Sequence, residues 1–386
     1  MSSQQIPNLL SLRNARAGSG RPRGRGGAGF SGSSSVNPEE EAAAKDKVIQ
    51  QTDQDASVSR MSAVEVGYLD DPFAQEFTAV GGPRRFPIIN RGGFLHTSVP
   101  LKSIDTKSGT YIRTKAIDRL VDSFLSSEPT RKKQIISLGA GSDTRYFRLM
   151  SRAPRPCIIY HEVDFASNAR QKISAIRRST SLSNCIGSPS EVVIEETELD
   201  GPSYHIHAID LRTLPPANSP AAVSMRHVDP SLPTLLLSEC CLIYLEPSAA
   251  DAVVNYFIEH LFPPSTPLGI VLYEPINPFD AFGKVMVSNL AQRGIVLQTL
   301  QKYYSLEAQK ERLSAHGFSD GQEALDVNTI YEQWVEEHEK ERVSSVEMLD
   351  EVEEWILLAK HYCVAWGWRK GEDKAGAVWN GWAGDS

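Results

Sequence analysis

The stretch Gln134-Ile-Ile-Ser-Leu-Gly-Ala-Gly-Ser-Asp-Thr144 decides the fold. A short apolar run, too brief for a helix, meets two glycines separated by one residue, and a helical pattern follows. Such a run reads as a strand with both faces covered. Glycines at its carboxyl end let the backbone turn sharply and approach a ligand closely, where open α/β sheets bind their ligands. Two glycines at a strand end also make plain tight turns, so the neighbouring segments must be read with them.

Upstream, Ile117, Leu120, Val121, Phe124 and Leu125 recur at helical spacing and mark an amphipathic helix over 115–125. Downstream, short apolar runs at 157–163, 204–209, 234–238 and 269–273 alternate with helix-length segments. That alternation predicts an α/β fold with a parallel sheet. Residues 253–261 read as a crossover helix. Beyond Tyr273, Phe282, Val285, Met286 and Leu290 mark one helix, and 305–315 a second that stops at Gly317. An acidic helical stretch covers 331–360, with a break expected near Val343-Ser344. The aromatic, β-branched segment His361-Tyr-Cys-Val-Ala-Trp-Gly-Trp368 reads as a last strand.

Acids close three of these strands. Asp164 ends the second run, 25 residues after Gly139, where an acid accepts the hydroxyls of a ribose. Glu162 lies two residues earlier on the same face and is a rival. Asp210 and Glu239 close two later runs. Acids at strand ends also cap helices or face water, but three at successive strand ends point to a ligand site. A bound dinucleotide would call for a third glycine where Thr144 stands. S-adenosylmethionine has no pyrophosphate and does not need it.

The chain of 386 residues suffices for one large α/β domain, and its 41% hydrophobic and 23% charged residues are those of a globular protein. No apolar run approaches the roughly 20 residues of a membrane span, and no export signal opens the chain, so a cytoplasmic protein without membrane attachment is expected. The five cysteines have no metal-ligand spacing and read as reduced thiols; no metal site is expected. A net charge of −8 argues against general nucleic-acid binding by the folded part. The histidines on strands, His161, His205 and His207, read as core or packing residues. Residues 1–58, with Arg21, Arg23 and Arg25 among small residues, read as a disordered tail dispensable for chemistry. That tail is either a solvated segment or an arginine-glycine segment that touches RNA or is itself methylated. Residues 59–369 form the domain, and 370–386 a loose Gly- and Ala-rich end.

Several segments, in order, resemble the leucine carboxyl methyltransferase family. They are Gly67-Tyr-Leu-Asp-Asp-Pro72, Ile89-Asn-Arg-Gly92, Leu138-Gly-Ala-Gly-Ser-Asp-Thr144, Glu162-Val-Asp164, Asp210-Leu-Arg212, Leu235-Leu-Leu-Ser-Glu-Cys240, Gln309-Lys-Glu-Arg-Leu313 and His361-Tyr-Cys363. The resemblance implies a class I S-adenosylmethionine-dependent methyltransferase: a Rossmann-like, seven-stranded, mostly parallel sheet with an antiparallel last strand and added helices forming a substrate lid. It implies cofactor contacts at Arg60, Arg113, Gly139, Asp164, Asp210, Leu211 and Glu239; Arg91 and Tyr244 are expected near the acceptor, Tyr244 otherwise reading as a packed aromatic at a strand-to-helix turn. The implied reaction is methyl transfer to the α-carboxylate of the C-terminal leucine of the protein phosphatase 2A catalytic subunit, which is the implied partner. Other readings are a relative acting on a wybutosine precursor of tRNA, a small-molecule O-methyltransferase, and a non-catalytic phosphatase-binding regulator. The chain departs from the family pattern at 93–109, 17 residues that separate the Ile-Asn-Arg-Gly segment from Arg113; a loop bulging outward costs little. A terminal carboxylate, with a pKa of about 3.5, is ionised at neutral pH and attacks without a base, so no catalytic side chain is expected.

Overall fold

Strand β1, Lys133–Leu138, is buried along its whole length, as a run covered on both faces must be. In the computed structural model it pairs in parallel with β2, Ile158–Asp164, on one side and with β6, Thr234–Glu239, on the other. The described residues are 38–78, 104–216, 218–221, 225–346, 352–372 and 377–382. The chain divides into two units, Met1–Glu41 and Ala42–Ser386. Of the first, only 38–41 are described, as helical residues. The remaining strands are β3 (Val193–Ile194), β4 (Leu199–Asp200), β5 (Tyr204–Ala208), β7 (Leu268–Pro275), β8 (Gly321–Asp326) and β9 (Tyr362–Arg369). The sheet order is β3-β4-β5-β2-β1-β6-β7-β9-β8. β5, β2, β1, β6 and β7 run parallel, and β9 is antiparallel to both its neighbours.

The expected seven strands are all present, and the short β3–β4 hairpin extends the sheet to nine. Periodicity found six of the seven. It missed β8, Gly321-Gln-Glu-Ala-Leu-Asp326, an edge strand with one fully buried side chain, Ala324, and hence no apolar run. Alternate residues feed two cores. Ile135, Leu235, Leu237 and Val271 point to one; Ile136, Leu138, Leu236 and Ile270 point to the other. The three strand histidines stack across the sheet, with His161 and His205 centroids 4.8 Å apart and His161 and His207 5.3 Å apart. Burial holds all three below the ordinary histidine value, His207 at about 4. All three are neutral, and His161 and His207 pack within the sheet as the sequence suggests.

The helices are α1 (Pro38–Val66), α2 (Ile104–Ser126), α3 (Arg145–Met150), α4 (Ala166–Arg178), α5 (Thr180–Ile186), α6 (Pro247–Asn255), α7 (Ala281–Ala291), α8 (Leu306–Ala315), α9 (Val327–Trp334), α10 (Glu337–Val346) and α11 (Val352–Ala359). A single π-helical turn, Tyr256–Leu261, continues α6. The acidic 331–360 stretch thus falls within three helices, and Val343-Ser344, where a break is expected, lies inside α10 instead. Gln309 and Arg312, in one of the family-like segments, lie on α8. There the Arg312 guanidinium pairs at 2.9 Å with Glu274 of β7, and neither side chain is exposed.

Two expectations about the chain ends are corrected. Residues 38–58 are not a disordered tail but most of α1, which ends at Gly67 with φ +98°. Pro38-Glu-Glu-Glu opens it, with proline early and acids in the first turn, a regular helix start. Residues 1–37 lie outside the described residues. The C-terminal segment is not loose where it is described. Trp379 stacks on Phe124 at 5.2 Å, and Trp382 is fully buried against Trp379. The Trp382 indole donates to the Leu120 carbonyl, and its own carbonyl accepts from Trp366. A Cβ at Gly269 would lie 2.5 Å from the Trp379 ring, so glycine on β7 makes room for this aromatic plug.

Removing a fully buried indole leaves a large cavity. Trp382→Ala is expected to lower unfolding stability by about 3–5 kcal/mol, measured by chemical denaturation. A loss under about 1 kcal/mol, the scale of a surface change, would show that the segment is not part of the core.

Candidate active site

The chain leaves β1 through Gly139 (φ +65°) and Gly141 (φ +47°), left-handed conformations that glycine adopts without strain. A Cβ on Gly139 would lie 2.5 Å from Cys241 Sγ. The bare turn lets neighbouring groups close on its peptide N–H groups at the carboxyl end of the sheet: Gly139 N donates to the Val163 carbonyl, and Ser142 N to Asp53. Asp164, at the end of β2, takes one of them: Gly141 N donates to Asp164 Oδ2 at 2.7 Å. Its Oδ1 accepts from Phe165 N at 2.7 Å and from Asn168 Nδ2 at 3.1 Å. Burial nonetheless dominates and pushes the carboxyl up to about 6, partly offset by these donors.

The rival Glu162 is elsewhere. It pairs with Lys172 of α4 at 2.5 Å, both side chains 2% exposed, and burial raises its carboxyl to about 7 against the pull of the lysine. Asp164, not Glu162, stands beside the glycine turn. Asp210 follows β5, caps the turn after it by accepting from Arg212 N at 3.0 Å, and pairs with the Arg212 guanidinium. Leu211 beside it is buried.

Glu239, at the end of β6, is held between two guanidiniums. Arg113 Nε on α2 meets Oε2 at 2.9 Å, and Arg145 Nη1 meets Oε1 at 2.8 Å. Burial alone would weaken the Arg113 cation, but Glu239, together with Cys240 and Tyr273, more than offsets it. The Arg113 guanidinium also lies over the Tyr273 ring, 5.1 Å from its centroid. Arg145, 1% exposed, binds Asp143 at 2.6 Å and Asp118 at 3.0 Å. Arg148 joins Asp118 to Asp71, which accepts from Thr144 Oγ1 and from Arg60 Nη1. The structure so brings Arg60, Arg113, Gly139, Asp164 and Glu239 to one end of the sheet, and a continuous charge network joins Arg60, Arg113 and Glu239.

Helix α1 lies along this end. Asp46 pairs with Arg212 at 2.6 Å, Gln50 accepts from Ser167, and Asp53 accepts from both Ser142 N and Ser142 Oγ at 2.6 and 2.7 Å. Asp55 pairs with Arg293, and Thr52 meets the Tyr244 hydroxyl. Burial raises the Asp53 carboxyl despite the Ser142 donors. Tyr244 sits on the short turn Leu242–Tyr244 after β6, half-buried. Tyr273 and Tyr362 stack nearby on adjacent strands, centroids 5.5 Å apart. Arg91 lies outside the described residues, as does 93–103 of the insertion; residues 104–109 of it are helical and belong to α2. They deliver Arg113 to Glu239.

Reading the sequence missed Arg145, Arg148, Asp118 and the acids of α1. A buried arginine carries no local sign of burial. Asp53, however, lies in a segment whose helix start was legible at Pro38. Burial pushes the Cys240 thiol up to about 12 and raises Cys241 as well. Both are protonated at neutral pH and offer no nucleophile.

The geometry fits a nucleoside cofactor. The glycine turn brings the backbone close, Asp164 ends β2, Asp210 follows the adjacent β5, and Arg113 supplies a cation. The family description "Leucine carboxyl methyltransferase" matches residues 48–258. "Leucine carboxyl methyltransferase 1" of Aspergillus fumigatus is 52% identical over 407 aligned positions, covering 99% of this chain and 98% of the relative. That of Emericella nidulans is 55% identical over 395, covering 97% and 96%. Among solved structures, a putative methyltransferase from Thermobifida fusca has a TM-score of 0.44 at 13% identity, covering 81% of this chain and 93% of its own. Glycine turn, strand-end acids and full-length similarity lead to one assignment: the chain belongs to the leucine carboxyl methyltransferase family, enzymes that use S-adenosylmethionine to methylate a carboxyl group.

Proposed function

We propose that this enzyme esterifies the α-carboxylate of the C-terminal leucine of the protein phosphatase 2A catalytic subunit, and that it does so in the cytoplasm. The observation that carries the site is the Asp164 carboxylate hydrogen-bonded to the Gly141 peptide N–H of the glycine turn, with the Glu239–Arg113 pair at the same end of the sheet. S-adenosylmethionine supplies an electrophilic methyl group on a sulfonium. Asp164 binds the ribose hydroxyls, and Asp210 with Leu211 holds the adenine. Arg113, oriented by Glu239, and Arg60 favour the methionine carboxylate. Gly139 lets the backbone come close.

The acceptor needs no base, because its carboxylate is already ionised. The chain's task is to align the reactants and to exclude water, which otherwise stabilises the separated charges. α1 closes one side of the site. Arg91 and Tyr244 contact the acceptor, and the stacked Tyr273 and Tyr362 give an aromatic wall for an apolar terminus. A folded partner, reached through its flexible tail, is the substrate rather than a nucleic acid or a membrane. No described helix is long and apolar enough to cross a membrane.

Asp164 gives a pH signature. Its carboxyl titrates at about 6 in the free protein, and ribose binding uses the ionised form. Affinity for S-adenosylhomocysteine is therefore expected to be level above pH about 7 and to fall as pH drops through 6, approaching about tenfold per unit. The sign for stability is opposite. A raised carboxyl contributes more to folding at low pH, and that contribution is lost as pH rises through 6. Calorimetry from pH 5 to 8 checks this, and Asp164→Asn should flatten the profile. A level wild-type profile would remove Asp164 from the site.

The contacts of α1 with Ser142 and Arg212 speak against the expectation that 1–58 are dispensable. A chain beginning at Ser59 loses Asp46, Asp53 and Asp55 and their partners. It is expected to stay folded, by circular dichroism, and to bind cofactor about tenfold more weakly or worse, the effect of losing one charged hydrogen bond. Unchanged affinity would show that α1 takes no part.

The acceptor assignment rests on a free terminal carboxylate. Labelled cofactor and the purified phosphatase should yield base-labile label, and deletion or amidation of the terminal leucine should abolish it. Equal labelling of amidated and free-acid tails would refute the proposal while leaving the family intact.

A further inference from the structure

A second cluster lies at the other end of β5. Asp200 ends β4 and faces His205 across the antiparallel β4–β5 pair. His227 arrives from the loop before β6, with φ +66°. His205 Nδ1 is 3.3 Å and His227 Nε2 3.7 Å from the same oxygen, Asp200 Oδ1. One ligand atom from each of the three residues lies within 4.8 Å of the others. His205 lies near the start of β5 and Asp210 just past its end, so about 16 Å of extended chain separates the two sites.

We propose that Asp200, His205 and His227 form a zinc site, distinct from the methyl-transfer site. Zn–N and Zn–O bonds of about 2.0–2.2 Å at tetrahedral angles place ligand atoms about 3.3 Å apart. The Asp200–His205 separation already has that value, and the His227 contact is 0.4 Å longer (3.7 against 3.3 Å). The His205 and His227 rings are stacked, 15° from parallel with centroids 4.7 Å apart, so an ion in the plane of both requires one ring to turn. The His227 side chain is 53% exposed and free to do so. His205 is fixed from behind by stacking on His161, itself hydrogen-bonded to His207 at 3.1 Å.

Asp200 is prepared as a ligand as well. Its second oxygen, Oδ2, meets Arg226 Nη2 at 3.3 Å, and Arg226 is anchored on Glu198 at 2.7 Å. That outer contact orients the carboxylate and leaves Oδ1 toward the imidazoles, as partners of metal ligands do. Two imidazoles and a carboxylate are a donor set for zinc rather than for calcium or magnesium. Three protein ligands leave a fourth position for water.

The test uses the full-length chain after chelator treatment, with zinc chloride as probe. Calorimetry should show one high-affinity zinc per chain, and cobalt chloride should give the visible absorption of a tetrahedral site. His227→Asn removes a ligand while keeping a residue that tolerates positive φ, and Asp200→Asn removes the charge at constant shape. Each should weaken zinc binding by at least about tenfold, while affinity for S-adenosylhomocysteine stays at the wild-type level and reports an intact fold. Zinc binding of equal affinity in all three proteins would place the ion elsewhere and overturn the proposal. So would the absence of uptake by the wild type at about 0.1 mM zinc, far weaker than structural zinc sites.

Discussion

Glu239 between the Arg113 and Arg145 guanidiniums is the contact on which the cofactor end of the sheet depends. Burying charges is costly unless each is paired and hydrogen-bonded. The network meets that condition by running on through Asp143, Asp118, Arg148 and Asp71 to Arg60. Four arginines and four acids from α1, the loop after it, α2, the glycine turn, α3 and β6 neutralise one another. Burial would raise the Asp118 carboxyl, yet Arg148 and Arg145 hold it well below the usual carboxylate range. Fixed charges of this kind need no reorganisation when a charged ligand arrives.

That network also holds the glycine turn in place. Thr144 donates to Asp71, and Arg145 reaches back to Asp143. The turn is thus secured by residues just beyond it as well as by its own bond from Asp143 N to the Ala140 carbonyl. α1 completes the enclosure from outside, with Asp53 on Ser142 and Asp46 on Arg212. Asp210, Asp164 and Glu239 follow adjacent or neighbouring parallel strands, so parallel register alone carries them to one edge.

Distant segments hold this edge in place. The Glu274–Arg312 pair, fully buried, ties β7 to α8 and accounts for the arginine in the Gln309–Leu313 segment. Trp382 and Trp379 plug the sheet beside Gly269 and lock α2 through the Leu120 carbonyl. α2 carries Arg113, so the C-terminal aromatic residues support the cation that orders Glu239.

Sequence alone determined the parallel sheet, the glycine turn and the acids at the strand ends. Apolar runs and glycines are local signals, set by burial on both faces and by backbone freedom at one turn. Asp164 was separable from Glu162 only as the last residue of its run, and the structure gives the reason: Glu162 is spent on Lys172. Tertiary structure alone decided the rest. β8 is a polar edge strand whose pairing depends on β9, far along the chain. Trp379 and Trp382 lie in a Gly- and Ala-rich segment that reads as loose until β7 and α2 are brought beside it. α1 has an even mixture of polar and apolar residues, and only its partners at the sheet edge show which carboxylates matter. Arginine burial, likewise, depends on acids contributed by distant elements, which no window of sequence contains.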